Sequence, residues 1–150
     1  MLAVRPAASD DSADLRRWRN DPVTVAMSVN SKTVEPDEHQ EWFSAALNDP
    51  LQTLFIGVHE GTKVGVCRFQ QQAGSGPAEV SINLDPELRG KGLAALFLQQ
   101  AIDAFLSQQD VLLTATIKHS NVPSQRLFSR CGFRQVGRDG QCGLYERAVG

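Results

Sequence analysis

The spacing of apolar residues changes along the chain and divides it into helical and extended segments. In residues 9–20 and 36–47 apolar side chains recur every three or four positions, which predicts two amphipathic helices. Residues 54–58 and 64–69 are apolar and β-branched or aromatic, and the segment Glu60-Gly61-Thr62-Lys63 lies between them. This arrangement predicts a β-hairpin.

Polar and apolar residues alternate strictly over residues 78–84, with Glu79, Ser81 and Asn83 on the polar side. Such alternation predicts a strand with two unlike faces. An amphipathic helix is predicted from Leu93 to about Phe105, because apolar residues return there at helical spacing.

The remaining segments complete the order of elements. We expect an opening strand at residues 2–5, an irregular loop at 21–33 and a hairpin loop at 73–77. Later come a strand at 111–117, a helix that Asn121 caps and a hairpin over 134–149 that turns at Asp139-Gly140. The order βααβββαβαββ predicts one α+β domain over residues 1–150, with a mixed, mostly antiparallel sheet.

Composition excludes several classes of protein. Apolar residues make up 41% of the 150, so a disordered chain is not expected, and the net charge of −2 argues against a general nucleic-acid binder. No apolar run reaches membrane-spanning length. The three cysteines form neither a CxxC pair nor a zinc-type cluster, so we expect reduced thiols, no metal and a cytoplasmic location.

The loop between strand 78–84 and the next helix carries the clearest chemistry. It reads Arg89-Gly90-Lys91-Gly92-Leu93-Ala94. Glycines expose backbone N–H groups, the first turn of a helix leaves N–H groups unpaired, and two cations flank them. The loop therefore predicts a phosphate or pyrophosphate site. A dinucleotide site of the GxGxxA type is an alternative, but five residues separate the strand from the glycines, and the P-loop pattern is absent.

Two motifs in register give the chain a resemblance to a known family. Arg89-x-x-Gly92-x-Ala94 resembles the Gln/Arg-x-x-Gly-x-Gly/Ala motif of the GNAT superfamily of acyl-CoA N-acyltransferases. About 30 residues later, Asn121-x-x-Ser124-x-x-Leu127-Phe128-x-x-x-Gly132-Phe133 resembles a second family segment. The order of elements resembles the family fold over the whole chain.

The resemblance implies a GNAT-like sheet that splays between strands 78–84 and 111–117, with helices on both faces. Acetyl-CoA would be the cosubstrate. Its pyrophosphate would lie on the 89–94 loop, that is on Arg89, Gly90, Lys91, Gly92, Leu93 and Ala94. Its pantetheine arm would pair with Ile82, Asn83 and Leu84 and contact Asn121 and Ser124.

The reaction implied is direct transfer of an acetyl group to a primary amine. Glu79 is the candidate general base, since it lies on the polar face of strand 78–84. Many relatives carry a tyrosine as general acid where this chain has Phe128, which has no proton to donate. Tyr145 is the substitute candidate, with solvent as the alternative.

The acceptor site is expected around the two early helices. The chain resembles the subgroup that acetylates nucleotide-linked amino sugars, as in pseudaminic acid synthesis, and the candidate contacts are Arg19, Asn20, Ser28, His39 and Trp42. A protein N-terminal acetyltransferase of the ribosomal-protein type, a general small-amine or antibiotic acetyltransferase, and a non-catalytic acyl-CoA sensor remain alternatives. The expected assembly is a monomer or a homodimer.

Overall fold

One seven-stranded sheet organises the computed structural model, which describes residues 1–28, 32–73 and 76–148. The strand order across the sheet is β1-β2-β3-β4-β5-β7-β6. The strands are β1 (Leu2–Pro6), β2 (Gln52–His59), β3 (Thr62–Gln71), β4 (Ala78–Leu84), β5 (Leu113–Lys118), β6 (Arg134–Asp139) and β7 (Cys142–Arg147). The helices are α1 (Ser12–Arg19), α2 (Pro22–Met27), α3 (Pro36–Leu47), α4 (Leu93–Leu106) and α5 (Val122–Arg130). Single 3₁₀ turns precede α1 and α4.

The predicted α+β class and the mostly antiparallel sheet are confirmed. The pair β4–β5 is parallel, and every other neighbouring pair is antiparallel. The β2–β3 hairpin turns at Glu60 and Gly61, both with positive φ, as a tight hairpin requires. No helix among the described residues is long and apolar enough to cross a membrane.

One predicted element is wrong. The segment 21–33, expected as an irregular loop, contains α2. Asp21 is its N-cap, with Oδ2 accepting a hydrogen bond from the backbone N–H of Thr24, and Pro22 occupies the first helical position. Residues 29–31 of the predicted loop lie outside the described residues, as do Gly74 and Ser75 of the loop 73–77 and residue 149 of the last hairpin.

Each face of the sheet is covered by its own helices. On one face α4 and α5 pack on an apolar layer that includes Phe69, Val80 and Ala115. On the other face α1 and α3 pack mainly on the β1–β3 side, with Trp18 and Phe43 fully buried against Ile56, and α1 also contacts β4. The two helices therefore leave much of the second face over β4 and β5 uncovered, and the side chains there are polar.

A buried carboxylate fixes the start of α1. Asp11 has no solvent exposure, and its oxygens accept hydrogen bonds from Arg5 at 2.8 and 3.0 Å and from the Ala8 N–H at 2.8 Å. Lys63 Nζ lies 2.7 Å from the same carboxylate. These contacts tie the entry to α1 to strands β1 and β3, because Arg5 and Lys63 belong to those strands.

The sheet forks between β4 and β5, as the family resemblance implied. Only Ala78 and Glu79 of β4 pair with β5, opposite Leu113 and Thr114. Within the described residues the two strands continue to Leu84 and Lys118 without further pairing. A fork of this kind leaves main-chain N–H and C=O groups that an extended ligand can satisfy.

Candidate active site

The glycine-rich loop keeps the geometry of an anion cradle. Gly90 and Gly92 have φ values of 78° and 74°, in the left-handed region where a side chain is strained. A Cβ at either position would meet no atom within 4 Å, so the space beside both is open. Gly92 is the N-cap of α4 and supplies no side-chain cap, so the first N–H groups of this helix remain available.

The two cations of this loop differ in their surroundings. Lys91 is exposed, beside a depression of about 320 Å³ that His59, Thr62 and Leu88 also line. Arg89 instead reaches the N-terminus of α2, where its Nη2 lies 2.8 Å from Asp21 Oδ2 and 2.9 Å from Thr24 Oγ1. The loop predicted for pyrophosphate is thereby joined to a segment near the predicted acceptor site.

The residues predicted for the pantetheine arm lie along the fork. Ile82, Asn83 and Leu84 follow the last pair between β4 and β5 and are partly exposed. Asn121 caps α5 beyond the end of β5, and its Oδ1 accepts a hydrogen bond of 3.3 Å from the Ser124 N–H. The structure thus brings one strand edge and one helix start to the two sides of the same opening.

Glu79 lies at the base of the fork. It is the last residue of β4 that pairs with β5, and its side chain is exposed. Thr116 Oγ1 donates a hydrogen bond of 3.3 Å to Glu79 Oε2. Glu79 also lines a depression of about 470 Å³ whose other residues are Asp49, Leu51, Gln70, Gln71 and Gln72. Thr116 was not predicted, because its position two residues beyond Thr114, the residue paired with Glu79, depends on the register of β4 and β5.

Tyr145 lies beside the fork but on the other face of the sheet. It pairs with Ala115 of β5 and is buried in the apolar layer under α4 and α5. Its ring leans over Gly143, where an added Cβ would come within 2.9 Å of the tyrosine Cε1. Phe128, which stands where many relatives have tyrosine, is buried and packs edge-on against Phe133.

The residues predicted to bind the acceptor differ in how deeply they are buried. His39 is 3% exposed, beside the rings of Trp42 and Phe43, and its pKa is lowered by burial and by the nearby charge of Arg16. Burial also lowers the pKa of Arg19. Trp42 is 36% exposed, so part of its ring is open to solvent.

The side chains of Asn20 and Ser28 make hydrogen bonds to main-chain atoms of the segment between α1 and α3. The Asn20 amide donates to Val34 O at 2.8 Å and accepts from Val34 N at 2.7 Å, which closes the connection between α1 and α3. Ser28 Oγ donates to Val25 O at 2.9 Å at the end of α2. An acceptor bound by Asn20 would have to share an amide that the fold already uses.

The short helix α2 bridges the two strands of the fork. Arg89, which follows β4, contacts its N-terminus, and Lys118 Nζ of β5 donates to Ala26 O at 2.9 Å. None of the residues of α2 is buried. The helix is therefore held over the open face by polar contacts at its two ends.

The three cysteines, Cys67, Cys131 and Cys142, are buried and form no disulfide among the described residues. Burial raises the pKa of both Cys67 and Cys131, so neither thiol is activated as a nucleophile. Among the described residues, no group of three or more His, Cys, Asp or Glu side chains is placed to hold a metal ion.

Comparison with known proteins identifies the family of this chain. The family described as "Acetyltransferase (GNAT) domain" matches residues 1–134. A Bacillus subtilis (strain 168) protein, YwnH, provisionally named a phosphinothricin acetyltransferase, is 29% identical over 116 residues, covering 74% of this chain and 70% of its own. An L-methionine sulfoximine/L-methionine sulfone acetyltransferase of Pseudomonas paraeruginosa (strain DSM 24068 / PA7) is 26% identical, with 94% and 85% covered.

A solved structure supports the fold over the full length. The crystal structure of a protein provisionally described as a phosphinothricin N-acetyltransferase superposes with a TM-score of 0.84 at 26% identity, covering 100% of this chain and 99% of the other.

Proposed function

The chain belongs to the GNAT acetyltransferase family, and we propose that it transfers an acetyl group from acetyl-CoA to a primary amine. The proposed acceptor is a nucleotide-linked amino sugar or a similar small molecule. One observation carries the assignment of the site. The opening between β4 and β5 has the free glycine cradle beyond one strand and an exposed carboxylate at its base.

The residues around the opening fit acetyl-CoA as cosubstrate. The unfilled space beside Gly90 and Gly92 admits a diphosphate close to the main chain, and Lys91 adds a positive charge. The unpaired edge at Ile82, Asn83 and Leu84 offers main-chain groups to the amides of the pantetheine arm, with Asn121 and Ser124 opposite. When bound, acetyl-CoA supplies an activated thioester carbonyl to this opening.

Glu79 is proposed as the general base. A primary amine is mostly protonated near neutral pH and must lose a proton before it can attack a carbonyl carbon. Glu79 accepts that proton directly or through one water, since its carboxylate is solvent-exposed at the base of the fork. Thr116 acts as a positioning residue, because its hydroxyl holds one carboxylate oxygen and leaves the other to the amine.

Two further groups complete the proposed chemistry. A main-chain N–H near Leu84 stabilises the negative charge that develops on the carbonyl oxygen, as fixed donors do in other acyl transfers. The leaving thiolate needs a proton, for which Tyr145 is the candidate beside β5. Its burial on the apolar face makes solvent the alternative donor.

The acceptor is proposed to lie on the open polar face, under α2 and beside α3. Trp42 presents an exposed ring there, on which a sugar or uracil can pack. The other candidate contacts lie at or near the connection between α1 and α3; they are Arg19, Asn20, Ser28 and His39. The hydrogen bonds that Asn20 makes to Val34 favour a role in shaping this connection.

A second candidate function is acetylation of an amino acid or a close analogue. It is favoured by the relatives named for phosphinothricin and for methionine sulfoximine and sulfone. Both candidates use the same base and the same cosubstrate, and they differ only in what occupies the open face.

The test is release of free thiol from acetyl-CoA in the presence of single amines. The panel holds a UDP-linked amino sugar, L-methionine sulfone, spermidine, an aminoglycoside and a peptide with a free N-terminus. Thiol release with the amino sugar above the others supports the proposal. A preference for the amino acid selects the second candidate, and preference for the peptide selects an N-terminal acetyltransferase. Tight acetyl-CoA binding without acetylation of any amine would indicate a sensor.

A further inference from the structure

An unmatched guanidinium lies on the open face beside the proposed base. Arg68 is on β3, where it pairs with Ser81, while its neighbour Gln70 pairs with Glu79. Paired residues of antiparallel strands share a face, and diagonal neighbours lie about 7 Å apart, within reach of long side chains. Arg68 and Glu79 therefore point to the same side of the sheet at adjacent rows.

The guanidinium is held in place without being neutralised by a close partner. Its carbon lies 5.4 Å from the centre of the Trp42 ring, which positions the group by a cation–π contact. Its Nε is buried with no hydrogen-bond partner. None of the ion pairs that join described residues includes Arg68.

A partly buried guanidinium with an unpaired N–H costs free energy unless a bound group accepts a hydrogen bond from it. Burial lowers the pKa of Arg68, although the charge of Glu79 acts in the opposite direction, and a guanidinium remains protonated at neutral pH. A buried donor left unpaired costs free energy, and an oxyanion is the group that satisfies a guanidinium best, through two parallel hydrogen bonds.

We propose that Arg68 is a specificity-determining residue that binds an anionic group, a carboxylate or a phosphate, of the acceptor. The inference rests on the proposed function, because it places the acceptor amine at Glu79. The substrate class is then an amine that carries an oxyanion a few bonds away. Amino acids and nucleotide-linked amino sugars both belong to this class.

The same face disfavours polycationic acceptors. Arg16 also has a buried Nε without a hydrogen-bond partner, and its charge reaches His39. Together Arg16 and Arg68 place two positive charges around the neighbouring rings of His39 and Trp42. A polyamine or an aminoglycoside would have to bring several positive charges into this region, where like charges repel.

The inference can be tested by ligand binding, without turnover. The protein is first saturated with coenzyme A, so that the glycine cradle is occupied. Two matched pairs are then titrated by calorimetry: L-methionine sulfone against its methyl ester, and UDP against uridine. We expect the anionic member of at least one pair to bind about tenfold or more tightly than its neutral partner, as charged hydrogen bonds imply.

Variants assign that preference to one side chain. Arg68→Gln should abolish the preference, and Arg68→Lys should retain part of it, because an ammonium keeps the charge and loses the planar fork. Arg134→Gln removes one exposed arginine from the distant edge strand β6 and should change nothing. If Arg68→Gln does not fold, Arg68→Lys and Arg68→Met are measured instead, and an unreduced preference in the folded variant rejects the inference.

The outcomes separate this inference from the proposed function. A preference for the carboxylate pair or for the UDP pair supports the inference and identifies the source of the anion. Equal binding within both pairs, no binding of any probe, or a preference that survives in Arg68→Gln overturns it. Thiol release with any amine, charged or neutral, bears only on the acetyltransferase activity.

Discussion

Arg89 and Asp21 form an ion pair of 2.8 Å that joins the loop before α4 to the N-cap of α2. The first residue lies in the proposed pyrophosphate cradle, and the second begins the helix that lies over the open face. The two proposed binding regions are therefore in direct contact, and a change in one charge should be measurable at the other.

Asp21→Asn should strengthen coenzyme A binding. The amide keeps an oxygen for the Thr24 N–H and so preserves the cap, but it no longer neutralises Arg89. An exposed ion pair of this kind is worth up to about 1 kcal/mol, which corresponds to at most about a fivefold change in Kd. Calorimetry measures the change. Asp14→Asn, which alters a carboxylate paired with Arg17 and Lys63, is the control, and weaker binding by Asp21→Asn would contradict the expectation.

Gly92→Asn should weaken coenzyme A binding by about tenfold or more and leave the fold intact. Asparagine tolerates a left-handed backbone better than other side chains, so strain is small, while its side chain enters the space proposed for the diphosphate. Gly140→Asn is the matched control, because Gly140 also has positive φ and open space around it. Equal affinities for the two variants would reject the cradle as the pyrophosphate site.

Glu79→Gln should lower kcat at neutral pH by about 100-fold and leave the Kd of coenzyme A unchanged. The amide cannot accept the amine proton. The deficit should shrink as the pH rises, because a growing fraction of the amine is then neutral without a base. The pH profile of kcat measures this, with Glu41→Gln on the exposed side of α3 as control. A parallel loss at every pH would show that Glu79 has another role.

Asp11→Ala should lower the free energy of unfolding by about 3 kcal/mol, because it leaves Arg5 and Lys63 without the buried carboxylate they share. Denaturant unfolding measures the loss. Asp14→Ala, at a partly exposed carboxylate, should cost less than about 1 kcal/mol. Similar losses for the two variants would contradict the importance of burial at Asp11.

The same site predicts a dependence of stability on pH. The hydrogen bond from Arg5 holds the pKa of Asp11 well below its usual range, with Lys63 and the Ala8 N–H acting in the same direction against burial. The unfolded chain therefore binds this proton at higher pH than the native protein. The contribution of Asp11 is complete at neutral pH and is lost as the pH falls below about 4. Asp11→Asn should lack this part of the acid sensitivity.

The sequence pattern predicts the strands of the sheet, and the family resemblance adds the position of the fork. Strict alternation over β4 and the glycine-rich start of α4 are local features, and they carry the family motif with them. The helix α2 was missed although its signals were present, since Asp21-Pro22 is a helix start as well as a helix end. A six-residue helix with no buried side chain has no apolar periodicity to reveal it.

The residues that surround the proposed acceptor were harder to predict because their contacts are distant in sequence. Arg68 stacks on Trp42, which lies 26 positions earlier on another element. The family resemblance predicts Asn20 as an acceptor contact, whereas its hydrogen bonds to Val34 depend on how the connection between α1 and α3 folds. Such contacts depend on the register of the strands and on the packing of the helices, and the local spacing of residues predicts neither.

The helix α2 is attached to the rest of the protein by polar contacts at its two ends. A segment that contributes nothing to either apolar core can be exchanged for another of equal length without disturbing the sheet. Grafting residues 22–27 from a relative should therefore change the free energy of unfolding little, provided that the contacts to Arg89 and Lys118 are kept.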